Sequence, residues 1–129
     1  MFRAYVNLEG LNHAVRAALT HPRWENSSAR TSGMPLGVAV ATPIYAPFLK
    51  APSNHPSARL IQVPLARCLD GQGIWRYEID EVALEAALSR PDVRLLMWCN
   101  PHNPTGRVWT YDEMLLVARL CNKNGMGRR

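Results

Sequence analysis

Three short apolar runs, "GVAVA" at residues 37–41, "RLIQVPL" at 59–65 and "VRLLMWC" at 93–99, limit the folds open to this chain. Runs of this length and apolar content read as strands buried inside a sheet. The stretches between them have helical spacing instead. Leu8, Leu11, Ala14, Val15, Ala18 and Leu19 mark an amphipathic helix over residues 8–20, with Asn7 placed to cap it. A brief helix through Phe48 and Leu49 is kept short by Pro47 and Pro52. Residues 80–90 form the clearest helix, capped by Asp80 and apolar along Val82, Leu84, Ala87 and Leu88. Thr110 and Glu113 form a capping box opening a last helix, with Met114, Leu115, Val117, Ala118 and Cys121 on its buried side. "DGQG" at 70–73 is a turn between short ribbons, and residues 21–35 are a loop. Strands alternating with helices predict an α/β protein with a mainly parallel sheet and covering helices.

Composition narrows the function. A hydrophobic fraction of 47% and a charged fraction of 19% are globular values, and 129 residues suit one domain or a portion of a larger one. The net charge of +5 comes almost entirely from arginines that are scattered along the chain rather than gathered into a stripe. That pattern predicts no nucleic-acid partner. Cys68, Cys99 and Cys121 make an odd set without C-x-x-C spacing, which suits a reducing, cytoplasmic location rather than a disulfide framework. No apolar run approaches the ~18 residues of a membrane span, so no membrane association is expected. Cys99 and His102 have C-x-x-H spacing, but no second pair stands at a matching distance, and no metal site is expected.

The third apolar run ends abruptly in "NPHNPTG", residues 100–106. Pro101 and Pro104 each fix a φ angle, and Gly106 permits a turn that other residues resist. Such a loop holds the Asn103 amide, a donor as well as an acceptor, in one direction. In open α/β sheets ligands gather beyond the carboxyl ends of strands, which is where this loop lies.

The longer segment "NPHNPTGRVW" after an apolar strand resembles the signature of class I/II aminotransferase-like enzymes that use pyridoxal 5'-phosphate (PLP), and among them most the cystathionine β-lyase, or C–S lyase, branch. "TPIYAPF" at 42–48 is similar to the same branch's tyrosine segment. "GLNHAVRAAL" at 10–19 and "YEIDEVALEAAL" at 77–88 are similar to its neighbouring helices. The resemblance covers most of the chain and implies part of the large domain of a fold-type I PLP enzyme, residues 1–129, with an irregular insertion at about 23–35. It implies that Asn103 hydrogen-bonds the phenolic oxygen of PLP and that Tyr45 stacks on the ring. Asn7 and Leu8 would offer backbone donors to the phosphate, as a helix N-terminus does.

The same resemblance implies β-elimination on a sulfur-containing amino acid such as cystathionine. Transamination, which shares Asn103 and Tyr45, remains an alternative, as does a non-catalytic remnant that only associates with a partner subunit. Intact family members are homodimers. The Schiff-base lysine and the aspartate facing the pyridine nitrogen belong to family segments beyond this chain's last helix. Lys50 and Lys123 are the only lysines, and neither resembles that context. No catalytic residue is therefore assigned, and the chain by itself is expected to be inactive.

Overall fold

In the computed structural model, which describes residues 8–21 and 33–126, the centre is β1 (Leu36–Thr42), with β2 (Ala58–Pro64) on one side and β5 (Val93–Met97) on the other. Both neighbours run parallel to it. Residues 38–41 of β1 are buried because successive side chains point to opposite faces and both faces are covered. Val38 and Val40 meet Leu11 and Val15 of α1 (Leu8–Thr20) and Phe48 and Ala51 of α2 (Ala46–Ser53). Ala39 faces the other way, toward Leu84 and Leu88 of α3 (Glu81–Leu88) and Val117 and Leu120 of α4 (Tyr111–Lys123). The result is a three-layer α/β/α arrangement with a parallel sheet, as the alternating pattern predicted. The "DGQG" turn joins β3 (Ala66–Leu69) and β4 (Trp75–Glu78), a separate antiparallel ribbon. Asp70 closes it by accepting from the backbone N–H groups of Gln72 and Ile74, each at 2.9 Å.

Two helix starts follow from their first residues. Asp80 accepts from the Ala83 N–H at 2.8 Å, and Thr110 and Glu113 form the reciprocal capping box. Residues 22–32, which hold most of the expected loop and insertion, lie outside the described residues, as does Asn7, the expected cap of α1.

The third strand is shorter than its apolar run. Its ladder with β1 ends at the Val40–Met97 pair, although Trp98 and Cys99 continue the inward alternation, one toward each core. Near its start the register slips between Gly37 and Val38, so Arg94 is an extra residue opposite β1. Here β1 approaches β5 closely: the Gly37 N–H donates to the Asp92 carbonyl at 2.8 Å.

Asp92 itself reads as a turn residue in the sequence, yet its side chain is buried. It forms ion pairs with Arg59 from the start of β2 and with Arg90. Burial pushes its carboxyl up, but the guanidinium hydrogen bonds of Arg90 and Arg59 outweigh that and hold it below the ordinary 3.8. A carboxyl with a depressed folded value adds stability above its unfolded value and loses it as pH falls through the folded value. The contribution is thus complete above about pH 4 and fades below it. An Asp92→Asn chain is expected to show a smaller drop in urea midpoint between pH 6 and pH 3 than the parent; an equal drop would mean that Asp92 contributes nothing to the acid response.

Candidate active site at the carboxyl edge of the sheet

Because β1 and β5 are parallel neighbours, the segments leaving them emerge side by side at one edge of the sheet. From β1 the chain passes through Pro43 and Ile44 to Tyr45, which precedes α2 as its N-cap residue. From β5 it passes through Trp98 and Cys99 into the proline-rich loop and on to α4. The Tyr45 N–H donates to the carbonyl of Asn103 at 2.8 Å. That bond joins the two segments whose side chains the sequence singled out. The Tyr45 residue is 52% exposed and Asn103 is also exposed, so both side chains face outward from a fixed backbone contact.

The loop owes its shape to bonds at its base. The His102 N–H donates to the Arg107 carbonyl at 2.7 Å, and the Gly106 N–H donates back to the His102 carbonyl at 2.8 Å. Gly106 has φ +71°, a conformation that side-chain-bearing residues resist. Asn103, Pro104 and Thr105 are left at the tip. The two asparagines divide the work. Asn100 Oδ1 accepts from the Trp109 N–H at 3.2 Å, so its amide braces the loop against the entry to α4. Among the described residues no partner engages the side-chain amide of Asn103, which remains available to a ligand.

Aromatic and charged groups fill the space beneath. Trp109 is buried, and its indole N–H donates to the Cys99 carbonyl at 2.9 Å. Trp98 packs against Trp109 with centroids 5.3 Å apart, so both tryptophans serve as packing. The Arg107 guanidinium lies over the Trp109 ring at 4.8 Å and pairs with Glu113. Glu113 also accepts from the Thr110 N–H at 2.7 Å, so one carboxylate ties the loop to the cap of α4. Nothing in the sequence marked Arg107 for this role; its only signal is its place six residues before the capping glutamate. Cys99 is half-buried and its thiol donates to the Pro101 carbonyl at 3.2 Å.

The other two sequence candidates belong to the start of the chain. Leu8 opens α1, and Asn7 lies outside the described residues. One turn after Leu8, Asn12 accepts from the Asn54 amide at 2.9 Å. Asn54 is the C-cap of α2, at the opposite end of that helix from Tyr45. The lysines are both exposed: Lys50 on α2, and Lys123 at the end of α4, where it pairs with Glu85 of α3. Among the described residues no group of three or more His, Cys, Asp or Glu side chains is arranged to hold a metal ion.

The sequence model for aminotransferase class I and II matches residues 37–126, which include both strand exits. The chain belongs to that family. Protein MalY of Escherichia coli is 37% identical over 90 residues, covering 70% of this chain and 22% of that protein. Cystathionine beta-lyase PatB of Bacillus subtilis is 37% identical over 89 residues, covering 69% and 21%. The crystal structure of cystalysin from Treponema denticola, which contains a pyridoxal 5'-phosphate cofactor, superposes with a TM-score of 0.61 at 34% identity, covering 70% of this chain and 21% of that one. The chain thus spans about a fifth of the length of the relatives it matches.

Proposed function

We propose that this chain is part of the large domain of a PLP-dependent carbon–sulfur lyase that acts by β-elimination on a sulfur-containing amino acid, with cystathionine the leading substrate. The observation that supports the reading is the Tyr45–Asn103 backbone bond, which joins a phenol-bearing residue and a residue with an unengaged amide at the carboxyl edge of the sheet. This donor set fits the cofactor. Asn103 offers N–H groups to the phenolic oxygen of the ring, and Tyr45 offers a face for stacking, worth about 0.5–1.5 kcal/mol beyond burial. When bound, PLP supplies an electron sink for the pair released as the substrate's α-proton leaves. Asn103 and Tyr45 bind and orient; moving that proton needs a base that neither provides.

The backbone N–H groups of Asn7 and Leu8 are proposed as phosphate donors, in keeping with the affinity of helix N-termini for anions. Neither lysine is proposed as a covalent anchor. Lys123 sits about 18 Å along α4 from the end that carries the site loop. Lys50 follows Tyr45 on an exposed surface of α2. In the whole protein a homodimer in the cytoplasm is proposed; among the described residues no helix is long and apolar enough to cross a membrane. Transamination would use the same two contacts, and the lyase assignment rests on the likeness to cystathionine beta-lyase PatB.

The purified chain is expected to bind PLP reversibly, seen as quenching of tryptophan fluorescence, and to leave cystathionine unconsumed. Borohydride treatment followed by mass spectrometry should find no pyridoxyl group fixed to Lys50 or Lys123. Absence of any PLP binding would remove the reading, and a fixed group on either lysine would overturn the assignment of no anchor.

A further inference from the structure

His102 packs against both aromatic side chains beneath the loop, 1% exposed, with ring centroids 6.4 Å from Trp98 and 5.5 Å from Trp109, both edge-on. Its Nε2 stands 2.8 Å from the carbonyl of Pro43, in the segment leaving β1. A carbonyl only accepts, so Nε2 carries the proton and donates. Nδ1 is buried and, among the described residues, has no hydrogen-bond partner. The same residue's main chain closes the loop, through its N–H to Arg107 and its carbonyl from Gly106. One residue thus holds the base of the Asn103 loop with its backbone and grips the other strand's exit with its ring.

We propose that His102 is a positioning residue: its Nε2–H clasp on Pro43 sets the spacing between Tyr45 and Asn103. Pro43 precedes Tyr45 by two residues, and His102 precedes Asn103 by one. The clasp and the Tyr45–Asn103 bond therefore form two adjacent rungs between the strand exits. A backbone bond at an exposed tyrosine would open readily by itself; a buried second rung restrains it. The clasp stands on geometry alone, and only its consequence for ligand binding rests on the reading of Asn103 and Tyr45 as PLP contacts.

The test uses the full chain with His102→Phe, which keeps an aromatic ring against the tryptophans but offers no donor. His102→Gln is its companion, since its amide N–H can reach where Nε2–H does. In His102→Phe the Tyr45 amide is expected to exchange with solvent roughly five- to tenfold faster, the range of one modest hydrogen bond. The Val40 amide inside β1 should keep its protection, and PLP affinity should fall by a similar factor. In His102→Gln both should return most of the way to the parent values. Nitrogen shifts of the parent imidazole should show the Nε2–H form. Unchanged Tyr45 exchange in a folded His102→Phe chain, or an Nδ1–H imidazole in the parent, would overturn the proposal. Should His102→Phe lose Val40 protection, the parent tautomer and the glutamine chain decide. Faster Tyr45 exchange in a chain family that never binds PLP would uphold the clasp and remove the cofactor reading.

Discussion

Gly37→Val is expected to abolish the cooperative unfolding transition of this chain, or to lower its urea midpoint by more than any other single substitution considered. A Cβ at this position would come 2.8 Å from Val93 Cγ2, 3.1 Å from Val93 Cα and 3.2 Å from the Asp92 carbonyl oxygen. The first neighbour is a methyl that can turn aside. The other two are backbone of the adjoining strand and cannot move without breaking the Gly37 N–H bond to Asp92 and shifting the register beyond it. Overpacking of this kind costs about 1–3 kcal/mol, occasionally more, and valine adds two further methyls to the first offending carbon. Alanine at the same site should fall inside that range. Stability of a small domain is about 5–15 kcal/mol in total, so the valine chain loses a large share of it. Gly71→Ala is the control: a Cβ there meets nothing within 4 Å, and its effect should stay within about 0.5 kcal/mol. A Gly37→Val chain with the parent's midpoint would mean that β1 and β5 do not approach as closely as described.

How far the sequence disclosed this molecule depends on how far apart the interacting residues lie. The strands and helices rest on local period and local caps: Asp80 serves Ala83, and Thr110 serves Glu113, each three residues on. Such contacts are visible in a string. The apolar run overstates the strand, which ends at Met97, because alternation continues through Cys99 after pairing with β1 has stopped. Alternation reports burial, not hydrogen bonding. Asp92 and His102 were legible only as a turn residue and a loop residue. Their burial depends on Arg59, 33 residues from Asp92, and on the Pro43 carbonyl, 59 residues from His102. A polar side chain becomes worth burying only when its distant partner is in place. Asn103 and Tyr45 are legible in the sequence for a different reason: they belong to motifs that resemble those of a known family, and the fold brings their backbones into contact.

Asn103→Ala is expected to weaken PLP binding by about ten- to a hundredfold, the value of a hydrogen bond to a charged oxygen. The fold should barely notice. Asn103 is exposed, and the bond it gives the structure runs through its carbonyl to the Tyr45 N–H, which alanine retains. Stability should therefore change by no more than about 0.5 kcal/mol. Asn100→Ala is predicted to behave in the opposite way. Its amide accepts from the Trp109 N–H, so its loss should loosen the loop and lower stability by about 1 kcal/mol, read as a lower urea midpoint. Any effect on PLP would then follow from the loosened loop. Two asparagines three residues apart in one loop thus divide into a ligand group and a brace, and comparing binding with stability in the same pair of chains tests the division. If Asn103→Ala bound PLP as tightly as the parent while Asn100→Ala did not, the assignment of the ligand amide to Asn103 would be wrong, and the brace would be the group that meets the cofactor.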